Sequence, residues 1–184
     1  MIEYLIGAGT IGAAALVSKL LQLEQTQPTL EIHHRPFPLE WREILEKKWP
    51  IYCRLPENLR DQLEQLTLVF LERIEIRGID GLEITDEIRV LTASQACLLL
   101  VNQNTFFPAK LKSVVMRPSA YTATQYDSVG GVQSEREIHV LGQSWESGLV
   151  VLSWDNTRTG ATNAKDGRNL ALHEFAHQLD QADG

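Results

Sequence analysis

A chain of 184 residues with 43% hydrophobic and 22% charged residues has the composition of an ordinary globular protein and is long enough for one domain with a sizeable core. Its net charge of −7, its pI near 5.2 and the lack of any basic run exclude broad attraction to nucleic acid, because phosphate binding needs a concentrated positive face. Two cysteines, Cys53 and Cys97, make no disulfide framework and are read as reduced residues of the core or near-surface.

Residues 1–23 form an apolar segment in which Lys19 is the only charge from Tyr4 to Leu23. That length is near the ~20 residues needed to cross a bilayer, and Lys19 sits where it can snorkel at one end. The segment is therefore a candidate membrane anchor, associating with a membrane through residues 4–23. Two alternatives use the same letters. One is a buried or amphipathic helix. The other is a nucleotide loop, since Gly7, Gly9 and Gly12 spell G-A-G-T-I-G after Ile2–Ile6 and Glu31 follows at about the interval of a ribose-binding acid. A dinucleotide fold would need strand and helix alternations that the following chain does not show. Glu3 and the lack of a clear small-residue cleavage site argue against a cleaved signal.

Residues 24–38 mix Gln, Thr, His and three prolines and read as a linker. The adjacent His33 and His34 share no helical face there and are read as solvated. Arg35, Arg42, Lys47 and Lys48 beyond the apolar segment favour a cytoplasmic domain, anchored at its N-terminus if the first reading holds.

From residue 39 the pattern becomes that of a packed domain. Leu39–Lys48 is a short helix opened by Pro38 and ended by Trp49 and Pro50. Pro56 opens a longer helix whose Leu59, Leu63, Leu66, Phe70 and Ile74 form a core-facing stripe. A short strand follows around Ile74–Arg77, with Gly78 and Gly81 marking a turn. Thr85 then caps a helix with Asp86 and Glu87 in its first turn, favourable beside the exposed amides. This helix becomes apolar all round through Ala96–Val101 and is expected to be central and buried.

Further on, Lys112–Arg117, Ile138–Leu141 and Leu149–Trp154 read as strands, and Tyr121–Arg136 as an irregular loop. His139 alternates with Ile138 and Val140 and is read as a half-exposed strand residue. Asp155–Arg168 reads as a flexible polar loop. Asn163, Asp166 or Asn169 caps the helix that comes next, and the letters do not choose between them.

That last helix carries the chemistry. His173, Glu174 and His177 form H-E-x-x-H within N-L-A-L-H-E-F-A-H-Q-L-D-Q-A-D-G. At about 100° per residue the two histidines stack one turn apart on one face, so both imidazoles can reach a single ion. The same projection assigns Glu174 to the polar face and Leu172, Phe175, Ala176 and Leu179 to the apolar one. Two neutral imidazoles suit zinc and leave room for a third protein ligand and a water, whose pKa falls to roughly 7. Glu174 is then the general base. Asp180 is placed either to fix a ligand histidine's tautomer or simply to be solvated near the helix end. Glu83 and Glu87 are not needed as the third ligand, because capping and dipole complementarity already account for them.

H-E-F-A-H-Q-L-D, with G-Q-S-W-E-S-G-L-V-V-L-S-W at Gly142–Trp154 and L-E-I-T-D-E-I-R-V-L-T-A-S-Q-A-C-L-L-L at Leu82–Leu100, resembles the glucose-regulated zinc-dependent peptidases related to Mlc titration factor A. Their catalytic domain is similar to that of anthrax lethal factor. The resemblance begins near Trp41 and implies an α+β, zincin-like metallopeptidase domain over residues 39–184, with helices packed on a small mixed sheet and the HExxH helix at the chain end. It implies that His173 and His177 are zinc ligands, that Glu174 is the catalytic base and that the substrate is a peptide or protein. The family's third ligand, a glutamate on a later helix, and an assisting tyrosine are expected beyond Gly184, so the chain reads as C-terminally truncated. Such a chain is expected to hold zinc loosely and to leave Phe175 and Leu179 partly uncovered. The resemblance also implies a strand along the cleft that pairs with substrate backbone; L-V-V-L-S-W is one candidate, with ordinary core pairing as the alternative. The competing reading from the same family is a regulatory binding protein that sequesters a transcriptional repressor without depending on catalysis.

Overall fold

Prolines set the first boundaries of the fold. The computed structural model describes residues 35–103, 105–129, 132–140, 142–145, 148–163 and 167–183, with the backbone alone for 121–145 and 181–183. The candidate anchor, the Gly7, Gly9 and Gly12 run, Glu31, His33 and His34 lie outside the described residues. Among the described residues no helix is long and apolar enough to cross a membrane.

Helix α1 (Leu39–Lys48) stops at Trp49, whose φ of −131° and ψ of 92° are the extended values forced on a residue before proline. Helix α2 (Pro50–Arg54) and helix α3 (Glu57–Arg73) each start just after such a break. On α3, Leu63, Leu66, Phe70 and the following Ile74 are buried as the stripe predicts. Glu64 is buried beside them, which the periodicity does not foresee. Its carboxylate accepts from Tyr52 Oη at 2.5 Å and from Arg42 Nε and Nη2 at 2.8 and 2.7 Å, tying α1, α2 and α3 together; a buried charge persists only with such partners. The described end of the 24–38 stretch is pinned as well, because Gln65 exchanges two hydrogen bonds with the Arg35 backbone and Phe37 is buried.

Strand β1 (Glu75–Gly78) leads to helix α4 (Asp86–Leu98), where Thr85 Oγ1 accepts from Ile88 N as its cap. Every residue of α4 from Val90 to Cys97 is buried, so it is the central helix. Strand β2 (Ser113–Arg117) then pairs in parallel with β1. Strand β6 (Leu149–Ser153) is parallel to β2, and strand β5 (Gly142–Trp145) is antiparallel to β6. The result is a four-stranded mixed sheet in the order β1-β2-β6-β5. Val114, Met116, Val150 and Leu152 are buried apolar residues of β2 and β6, alternating along the strands as a sheet with one covered face requires. Gly148 turns β5 into β6 with φ +80°, and a Cβ there would stand 1.8 Å from the Lys110 carbonyl oxygen. No other residue fits that turn.

Two segments read as loops are ordered elements. Strands β3 (Tyr121–Val129) and β4 (Val132–Val140) pair antiparallel in full register as a separate two-stranded ribbon, from Tyr121 opposite Val140 to Val129 opposite Val132. The polar alternation of this segment hides it, since a ribbon needs no continuous apolar face to pair. Trp154–Thr162 is helix α5, not a flexible loop. Its Thr157, Thr159 and Thr162 hydroxyls bond carbonyls four residues back, which satisfies side chains that otherwise favour turns. Helix α6 (Leu170–Asp183) completes the described chain and packs on β5, β6, α4 and α5. The architecture is α+β, with helices on a small mixed sheet.

Candidate metal centre

Helix α6 is fixed at its start by one side chain. Asn169 Oδ1 accepts from Leu172 N at 2.9 Å, the bond of an N-cap residue. Of the three cap candidates, Asn169 is the one used. Its Nδ2 donates to Gln95 Oε1 at 2.7 Å and to the Gly160 carbonyl at 3.1 Å. Gln95 is fully buried in α4, and its Nε2 donates to Leu91 O at 3.0 Å and Thr157 O at 3.3 Å. One buried amide therefore links α4 and α5 to the first turn of α6. Gly160 allows the contact, since a Cβ there would lie 3.1 Å from both Cα and Cγ of Asn169. Gln95 is the longest polar side chain in the buried run Val90–Cys97, which is the mark it leaves in the sequence.

The buried stripe of α6 is Ala171, Glu174, Phe175 and Gln178, at the spacing of one helical face. This corrects the expected division. Glu174 is on the packed side with 7% of its surface exposed, while Leu172, Ala176 and Leu179 are only half-buried. The helix rotates toward Phe175, the largest apolar side chain available, and carries Glu174 inward with it. Phe175 is fully buried rather than partly uncovered. It packs edge-on to Phe70 at 5.6 Å between ring centroids and lies 5.4 Å from Phe107. Phe70 and Phe107 supply that cover, with Phe106 packed in turn against Phe107.

His173 and His177 are exposed on the adjacent side of the helix. Their ring centroids are 4.5 Å apart and their Nε2 atoms converge to 3.1 Å. Two nitrogens each ~2.0–2.1 Å from one tetrahedral ion lie about 3.3 Å apart, so the pair fits a shared metal ion with almost no movement. Glu174, between them in sequence, has its carboxyl pushed up from the ordinary carboxylate range, mainly by burial, with the two imidazoles opposing the shift. Asp180 is exposed one turn beyond His177 and makes no hydrogen bond among the described residues. Among the described residues no third His, Cys, Asp or Glu joins the pair. Glu87 instead pairs with Lys48 at 3.7 Å, and Glu83 is exposed. The side chain of His139 lies outside what is described; its backbone pairs with Thr122.

The arrangement can grip a divalent cation weakly with two imidazoles and present a desolvated carboxylate beside it. Comparison with known proteins agrees with that chemistry. Residues 22–184 match the family model of the glucose-regulated metallo-peptidase M90. The chain is 33% identical over 156 residues to the uncharacterized protein slr2042 of Synechocystis sp., covering 84% of this chain and 57% of the relative. It is 28% identical over 148 residues to Mlc titration factor A of Klebsiella pneumoniae, covering 79% and 54%, and 27% identical over 148 residues to the protein of that name in Escherichia coli. The chain spans about half the length of the curated relatives it matches. It belongs to the glucose-regulated metallopeptidase family M90.

Proposed function

We propose that the protein is a zinc-dependent metallopeptidase with a zincin-like domain, hydrolysing peptide bonds with Glu174 as general base and with His173 and His177 as two of the metal's ligands. The observation that carries the reading is the 3.1 Å convergence of the two Nε2 atoms beside a buried carboxylate. Zinc held there supplies Lewis acidity, lowering the pKa of a water to roughly 7 and polarising the scissile carbonyl. The chain's own residues do the rest. The two imidazoles, stacked by one helical turn, fix where the cation sits. Glu174 takes the proton of the attacking water and passes it to the leaving amine, and its raised pKa suits a group that must hold that proton between the two steps. Asp180 steadies His177 through a hydrogen bond formed once the ligand is engaged. The third ligand comes from outside the described residues.

Glu174→Gln tests the assignment, because it keeps the shape and removes the base. Peptide hydrolysis should fall by ~10²–10⁴-fold while metal affinity stays that of the parent. Unchanged turnover would remove Glu174 from the mechanism.

The similarity to proteins named Mlc titration factor A supports a second reading: binding of the Mlc transcriptional repressor, independent of hydrolysis. A repressor pull-down in which Glu174→Gln retains full binding separates the two roles.

A further inference from the structure

On the side of the sheet marked by β1, its terminal strand, two neighbouring hollows share Arg73, Ile74 and Lys112 as walls. The first, of about 480 Å³, runs along Ile74–Ile76 and reaches Arg89 of α4. The second, of about 370 Å³, is walled by Phe106, Phe107, Pro108 and Leu111. The chain as a whole carries −7, yet three exposed cations, Arg73, Arg89 and Lys112, line this groove and make no ion pair among the described residues. Two carboxylates also face it, and both are engaged. Glu72 bonds Arg35 and Glu75 bonds Arg77, and those hydrogen bonds hold each carboxyl below its ordinary range. The local surplus is therefore positive. Arg73 is also held in place, its guanidinium 5.1 Å from the centroid of Phe106, so part of the cost of ordering a cation is met before any ligand arrives.

We infer that this groove, lined by none of His173, Glu174 and His177, is a peptide-docking site that takes an extended acidic segment carrying apolar side chains. The apolar hollow receives a side chain such as leucine, and the three cations receive flanking carboxylates, with arginine's planar fork suited to bidentate pairing. A nucleic acid fits less well. The face of Phe106 that would stack a base is taken by Arg73, and a long polyanion meets the repulsion of the whole chain where a short acidic stretch meets little of it. The site extends the proposed function by giving a substrate or partner protein a second hold, but it does not depend on hydrolysis.

The test uses the full chain carrying Glu174→Gln, so that no probe is cut, and a short fluorescein-labelled peptide of alternating glutamate and leucine. Anisotropy should show saturable binding that weakens as salt rises. Lys112→Glu and Arg89→Glu, each exposed and free of packing roles, should weaken it by about 10-fold or more. Lys47→Glu, an exposed lysine on α1 outside the groove, should leave it unchanged. The inference is overturned by no saturable binding, by equal binding of a lysine–leucine peptide, by tighter binding of a single-stranded oligonucleotide, or by indifference to both groove reversals.

Discussion

His173 Nε2 and His177 Nε2 lie 3.1 Å apart with their rings at 78° to one another. Without a cation between them, one nitrogen must carry a hydrogen toward the other. With a cation both must be bare, so each imidazole must then carry its hydrogen on Nδ1.

His177→Ala should therefore lower zinc affinity by more than ~100-fold, exceeding the loss from removing an outer-shell partner. Zinc titration against a colorimetric competitor should show saturable one-to-one binding in the parent and an affinity at least that much weaker in the variant. An unchanged affinity in the variant would show that the pair is not the site.

Asn169→Ala removes the cap of α6 and its bond to Gln95. The cap alone is worth about 0.5–2 kcal/mol, and leaving the Gln95 oxygen buried without its partner adds about 1–3 kcal/mol. Urea unfolding should show the sum, with Asn169→Asp recovering the cap but not the donor to Gln95.

Phe175→Ala should cost about 3–5 kcal/mol, as for other fully buried aromatics, and more than Leu179→Ala, which is half-buried. Equal costs measured by denaturant midpoint would mean that the Phe70, Phe107 and Phe175 cluster is not the anchor of α6.

Cys53 is exposed, whereas Cys97 is buried and burial pushes its thiol well up. Titration with a chromogenic disulfide should count one fast thiol in the native protein and two in denaturant. Cys97→Ser should leave the fast thiol intact, and Cys53→Ser should abolish it.

The elements set by strong local rules were legible in the letters. Proline placed the starts of α1 and α3, Thr85 placed α4, and the i, i+4 histidines fixed the pair. What escaped was decided by long-range contact. Nothing local in Trp154–Thr162 forces a helix; it forms because Thr157 is buried against Gln95. The rotation of α6 likewise depends on Phe70 and Phe107 meeting Phe175, which no projection of the helix alone contains, and so Glu174 was expected on the outer face. Of the β3 and β4 ribbon only Ile138–Val140 read as strand; the rest escaped because its polar alternation looks like loop composition until the two halves are laid side by side.

The bonds that seat α6 span large distances along the chain: 62 residues from Thr157 back to Gln95 and 74 from Asn169. Closing loops of that size is slow and entropically uphill until the whole contact set forms. The histidine pair is thus a late product of folding, finished only after α4 is embedded and α5 has returned to it. A metal ion held there as proposed would meet no preorganised seat if it arrived earlier, and so would lock the finished fold instead of serving as a template for reaching it.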